Sequence, residues 1–193
     1  MSLTPSTMLA LGTTAPNFTL STADGTAYAL DQQQIDKGLL VIFMCNHCPY
    51  VIHIREKLAE AIKSYQKLGI EVVAVNSNDF TQYPDDNPAK MLEMAKEFDF
   101  SFPYLVDEEQ SVAKAYQAAC TPDLFLFNGD KKLVYRGQFD SARPGNKEPI
   151  TGKDLSFAVE QVVAGNTIAE EGQRPSMGCN IKWKAGNEPS YFG

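Results

Sequence analysis

The sequence predicts an α/β fold, a central mixed β-sheet flanked by helices on both faces. Leu39–Met44 (LLVIFM) is a continuous apolar run and Ile70–Val75 (IEVVAV) is apolar but for Glu71; both have strand length without regular polar alternation, as strands covered on both faces do. Between them Val51, Ile54, Leu58, Ala61, Ile62 and Tyr65 recur at helical spacing, and Gly69 ends the segment. A third signal, Asn128-Gly129-Asp130 between Asp123–Phe127 and Leu133–Arg136, is that of an antiparallel hairpin.

The remaining elements fall around this core. Residues 1–16 read as an irregular lead-in. Asn17–Ser21 and Thr26–Leu30 alternate apolar and polar residues about the turn Asp24-Gly25, a first hairpin. Residues 76–87 are polar and carry Pro84, so a loop is expected; Pro88 then opens a helix with Met91, Leu92, Ala95 and Phe98 on one face. Tyr104–Val106 predicts a short strand and Gln110–Ala118 a short helix. Leu155, Ala158, Val159, Val162 and Val163 predict a last amphipathic helix closed by Gly165. Residues 166–193 lack clear periodicity. One domain over 1–193 is expected, its core at about 11–165 and its tail at 166–193.

Composition narrows the function classes. A net charge of −7, with no Lys/Arg cluster that locally reverses it, disfavours nonspecific binding to nucleic acid or anionic membrane. No stretch approaches the roughly 18 apolar residues of a membrane span. The N-terminal segment has neither a basic n-region nor a sustained apolar run, so a cytoplasmic location is expected. Four cysteines are too sparse for a disulfide scaffold; in a reducing compartment such residues are catalytic, metal-binding or inert.

Cys45-Asn46-His47-Cys48 lies where the first buried run gives way to the helix. Cys45 is expected at the helix N-terminus, where unpaired N–H groups favour a thiolate, with Cys48 one turn along. This pattern suits a redox dithiol: Cys45, the more exposed sulfur, attacks, and Cys48 resolves the mixed disulfide. A protonated His47 near Cys45 would make the disulfide more oxidising, between about −270 and about −120 mV. Cys45, Cys48, His47 and His53 are also metal-type ligands, but the second ligand pair of a structural zinc site is missing, and no metal is expected. No cofactor is expected besides the Cys45–Cys48 disulfide itself. Thr121-Pro122 stands at the start of DLFLF; a proline cannot donate to a sheet ladder and belongs at the beginning of a strand. A cis Thr121–Pro122 bond would bring that backbone beside the cysteines.

Together, Gly12-x-x-Ala15-Pro16-x-Phe18-x-Leu20, Asp24-Gly25, LLVIFM, CNHC and Thr121-Pro122 resemble the thioredoxin superfamily, in the branch grouped with the AhpC/TSA and TlpA/ResA families. FMCNHCPYV, AVNSND, FPYLVDE, CTPDLFLF, YRGQFD and PSMGCNIKW resemble a bacterial subgroup described as thiol-disulfide isomerase/thioredoxin-like, a match running from about Leu11 to Trp183. The resemblance implies a thioredoxin-like fold with an N-terminal hairpin, CxxC redox chemistry, and a cis-proline loop at Pro122. It also implies a thiol–disulfide oxidoreductase acting on a protein or small-thiol disulfide, with a separate electron donor. Two other readings are a thioredoxin-fold binding module with little redox activity and a peroxiredoxin-like thiol peroxidase.

The departures matter chemically. Met44 precedes the first cysteine where thioredoxins have Trp, and Asn46-His47 replaces Gly-Pro. Leu39 stands where thioredoxin has a buried acid, leaving Glu71 or Asp79 as substitutes. The residues before Cys45 lack the proline and hydroxyl of a peroxidatic cysteine. Cys120 lies two residues before Pro122, and Cys179 lies in the tail. They are secondary thiols that either pair with each other, exchange with the CxxC disulfide, or serve as small buried apolar residues. Arg136 and Asp140 are expected to form an ion pair across the YRGQFD turn.

Overall fold

The computed structural model describes residues 3–192. Its strands are β1 (Leu3–Pro5), β2 (Thr19–Thr22), β3 (Ala27–Ala29), β4 (Gly38–Phe43), β5 (Ile70–Asn76), β6 (Tyr104–Val106), β7 (Cys120–Thr121), β8 (Asp123–Asn128), β9 (Leu133–Gly137) and β10 (Met177–Asn180). The helices are α1 (Pro49–Lys67), α2 (Pro88–Glu97), α3 (Ser111–Ala115) and α4 (Lys153–Ala164). Seven strands form one mixed sheet in the order β3-β2-β6-β5-β4-β8-β9. Its centre is parallel, β4 beside β5 beside β6, and its flanks are antiparallel. This is the thioredoxin-like arrangement.

The unbroken apolar run of β4 is explained by its central place: all six residues are buried. Leu40 and Ile42 face the cluster built with α1, α2 and α4, including Val51, Ile62, Met91 and Leu155. Leu39, Val41 and Phe43 face the opposite cluster, where Tyr116 packs edge-on to Phe125 and Phe127 and α3 contributes Val112 and Ala113. Each face of the sheet therefore has its own core, which is why neither central strand alternates with polar residues.

The tail is where the structure departs most from the sequence reading. Met177–Asn180 forms β10, paired antiparallel with β7 on one side and with β1 on the other. Cys179, Ile181 and Trp183 are buried. A four-residue strand whose partners come from the N-terminus and from the middle of the chain leaves too short a pattern to register as periodicity, and the core extends well past 165. The expected Arg136–Asp140 pair is also replaced. Arg136 pairs with Glu170 and Gln173, while Asp140 accepts backbone N–H bonds from Ala142, Thr151 and Gly152. No helix among the described residues is long and apolar enough to cross a membrane.

Candidate active site

The site forms at the carboxyl end of the parallel strands, where β4 stops at Phe43 and α1 begins at Pro49. In open α/β sheets ligand sites gather at such ends. The helix starts three residues later than the sequence reading placed it. Cys48, not Cys45, is the N-cap residue: its backbone is extended, and its carbonyl accepts the first helical bond from Ile52 N at 2.9 Å. Pro49 follows at the first helical position, where its missing N–H costs nothing.

Both sulfurs are enclosed. Cys45 is 1% exposed and Cys48 0%, so Cys45 does not project into solvent. They meet at Thr121, whose bond to Pro122 is cis. Cys45 Sγ lies 3.4 Å from Thr121 Oγ1, and Cys48 Sγ lies 3.1 Å from the Thr121 carbonyl oxygen. Burial pushes the Cys45 thiol up, and the neighbouring Cys48 and Asp86 add to the effect. Cys48 moves the other way, down to about 5. The Cys45 thiol donates to it, the Thr121 hydroxyl and the Cys179 thiol assist, and together they outweigh its burial. The Val51 N–H of the first turn contributes least and does not reach capping hydrogen-bond geometry. One contact opposes the charge: a protonated Cys48 donates to the Thr121 carbonyl. Three donors against one acceptor make Cys48 the sulfur that ionises first, and Cys45 the one that holds the shared proton.

The residues between the cysteines are held by Asp86, which sequence reasoning missed. Asp86 is fully buried, and its Oδ1 accepts the backbone N–H of Asn46 at 2.8 Å and of His47 at 3.3 Å. Its Oδ2 faces His47 Nδ1 at 2.7 Å and accepts from Asn78 Nδ2 at 2.7 Å. Asn46 is fixed further, its Nδ2 donating to the Asp85 carbonyl and its Oδ1 accepting from the Tyr104 hydroxyl. The hydrogen bond to Asp86 raises the His47 pKa against its partial burial. Burial alone would raise the Asp86 carboxyl, yet His47 and Asn78 hold it below its ordinary value. Any charge on His47 is therefore matched by the Asp86 carboxylate and does not act on Cys45, which argues against a strongly oxidising potential. Tyr83 stacks on the imidazole, centroids 5.5 Å apart, with Lys182 Nζ 5.7 Å from the Tyr83 ring. An open groove of about 410 Å³ runs past Asn46, His47, Ile52, Arg55 and Lys90.

The substitutes considered for thioredoxin's buried acid are placed elsewhere. Leu39 is core, Glu71 bonds to the Tyr28 hydroxyl, and Asp79 to Thr81. No signal short of three-dimensional contact identifies Asp86, which lies 39 residues from His47 inside the segment read as a loop. Cys45, His47 and Asp86 offer ligand atoms within 4.8 Å of one another. They fit a resident metal poorly, because His47 and Asp86 are already bonded to each other and Asp86 Oδ2 also holds Asn78. Cys120 and Cys179 do not form a direct pair. Cys120 sits opposite Asn180 and Cys179 opposite Thr121, so on adjacent strands they point to opposite faces. Cys120 Sγ is turned to the Pro122 and Ser176 carbonyls at 3.6 and 3.9 Å.

A profile of the Redoxin family matches residues 10–155. Thiol-disulfide oxidoreductase ResA of Geobacillus thermodenitrificans is 32% identical over 136 residues, 69% of this chain and 74% of that protein. Among solved structures, a hypothetical protein from Sinorhizobium meliloti 1021 superposes with a TM-score of 0.92 at 47% identity, covering 95% of this chain and 100% of that one. The thioredoxin domain of a thiol-disulfide oxidoreductase from Bacteroides vulgatus superposes with a TM-score of 0.61 at 20% identity, over 80% of this chain and 99% of that one, and shares the fold.

Proposed function

The chain belongs to the Redoxin family and is a thiol–disulfide oxidoreductase, and we propose that it works through Cys45 as nucleophile and Cys48 as resolving thiol. The observation that carries this reading is the convergence of both sulfurs on Thr121, in hydrogen-bond contact at the junction of β4 and α1. Cys48, as the site's resident thiolate, is the base that takes the Cys45 proton as a substrate disulfide arrives. Cys45 then attacks one substrate sulfur, and the other leaves as a thiolate. Cys48 gives up its proton and attacks Cys45 Sγ; the mixed disulfide breaks, the Cys45–Cys48 disulfide forms, and the substrate leaves reduced by two electrons. A reductant of the dithiol class restores the enzyme. Both sulfurs are buried, so a protein substrate reaches Cys45 by displacing what covers it, and a groove lies open beside Asn46 and His47. The sparse cysteines suit a reducing compartment, the cytoplasm on this reading.

Insulin reduction in the presence of dithiothreitol tests the assignment. Wild type accelerates the reaction, and Cys45→Ser reduces the acceleration by at least about 100-fold. Unchanged activity in Cys45→Ser sinks the assignment. A wild type inert toward insulin, with thiols that titrate only after unfolding, points to a binding module.

A further inference from the structure

The tail brings a third sulfur to the site. Cys179 lies inside β10, 4% exposed, directly opposite Thr121 in antiparallel register. Residues so paired point to the same face of the sheet, so Cys179 shares the face on which the Thr121 hydroxyl meets Cys45. The approach is unusually close, and Gly178 permits it. A Cβ at that position would stand 1.9 Å from the Thr121 carbonyl oxygen and 2.7 Å from its carbon, so only glycine lets β10 lie against β7 here. The Cys179 thiol donates to Cys48 Sγ. Cys48 is thus the middle member of a row of three sulfurs, Cys45, Cys48 and Cys179.

We propose that Cys179 is a third redox thiol, which exchanges with the Cys45–Cys48 disulfide to give a Cys48–Cys179 disulfide; this rests on the redox reading of the CxxC pair. Cys179 Sγ gives up its proton and attacks Cys48 Sγ. The Cys48–Cys179 bond forms, the Cys45–Cys48 bond breaks, and Cys45 leaves with the electron pair and takes up the proton. Nothing is oxidised or reduced overall, and no further reactant is needed. In the reduced protein burial and, after it, the neighbouring Cys48 together raise Cys179 to about 12, with Lys182 opposing them. The Cys48 contribution disappears once Cys48 is in a disulfide, so Cys179 becomes a better nucleophile when its target exists. Exchange returns Cys45 to the thiol while the molecule still holds two oxidising equivalents behind it. The strand that stores them, β10, is also the one that ties down β1.

The test equilibrates the full chain in glutathione buffers of increasing oxidation. It is then quenched with acid, alkylated with N-ethylmaleimide, digested and mapped by mass spectrometry. Wild type gives both the internal Cys45–Cys48 disulfide and a cross-link from the CxxC peptide to the Cys179 peptide. Because the two are isomers, their ratio stays constant as the glutathione ratio changes. Cys45→Ser, conservative and distant from β10 in sequence, gives the Cys48–Cys179 cross-link alone, and Cys179→Ala loses it while keeping Cys45–Cys48. If wild type forms Cys45–Cys48 with no cross-link, and Cys45→Ser accumulates only glutathione on Cys48, the third-thiol inference is overturned and the two-cysteine mechanism stands. If neither disulfide forms in wild type, both fall.

Discussion

Asp86, bonded to the CNHC loop, and Asp123, next to the cis-proline, are both fully buried, and their carboxyls shift in opposite directions. Asp86 fills both its oxygens with four donors, one of them the His47 imidazole, and is held below its ordinary value. Asp123, immediately after Pro122, takes the Ala119 N–H on Oδ2, and the Ser6 side chain and the Cys120 and Leu124 N–H groups also favour its charged form. Among the described residues, however, no cationic partner faces it and its Oδ1 has no partner in hydrogen-bond geometry. Burial dominates there and pushes it up to about 7. The lesson is that burial sets the size of the stakes and partners set the sign. Asp86 is ionised because the CNHC loop is wrapped around it; Asp123 is an acid that the fold keeps protonated into the neutral range.

The largest expected effect comes from breaking the well-partnered member. Asp86→Ala removes the acceptor for Asn46 N, His47 N and Asn78 Nδ2, and costs roughly 3–5 kcal/mol by urea denaturation at pH 6. A loss under about 1 kcal/mol would show that the loop does not depend on the carboxylate. Asp123 gives the next effect, with the opposite pH signature. Its folded value lies above its unfolded one, so the folded protein binds the extra proton between about 4 and 7, and stability falls as pH rises through that window. Asp123→Asn flattens this slope and gains on wild type by a few kcal/mol above pH 7, read as the difference in unfolding free energy at pH 5 and pH 8. A slope unchanged in the variant refutes the assignment.

His47 tests the partnership from its other side. Its folded value is raised, so its contribution is complete below about 6.5 and fades as pH climbs through the raised value. His47→Gln therefore costs about 1 kcal/mol at pH 5, and the gap from wild type narrows toward pH 9; a gap that widens instead contradicts the ion pair. Smallest is Tyr83→Leu, which gives up the stacked ring over His47 for about 0.5–1 kcal/mol with the pH profile kept. A changed profile would mean that Tyr83 also sets the imidazole's charge.

Local signals carried most of the fold. Turn chemistry at Asp24-Gly25 and Asn128-Gly129, the apolar runs of β4 and β5, and the amphipathic spacing of α1 and α4 are properties of contiguous residues, and each lies where the sequence placed it, apart from the later start of α1. The CxxC, too, was legible as a strand–helix junction. Its internal asymmetry was not, because the helix begins at Pro49 and the donors to Cys48 come from Cys45, from β7 and from β10.

What the sequence by itself determined is the α/β order of elements and the pair Cys45 and Cys48 at the end of a buried strand, since periodicity and spacing act over a few residues. What only the tertiary structure decided is the state of those sulfurs. Asp86 closes on the CNHC loop from 39 residues away, and Cys179 reaches Cys48 on a strand too short to show a pattern. Charge in a buried site is set by which polar groups arrive within hydrogen-bond reach, and that is a matter of folding, not of neighbours in the chain.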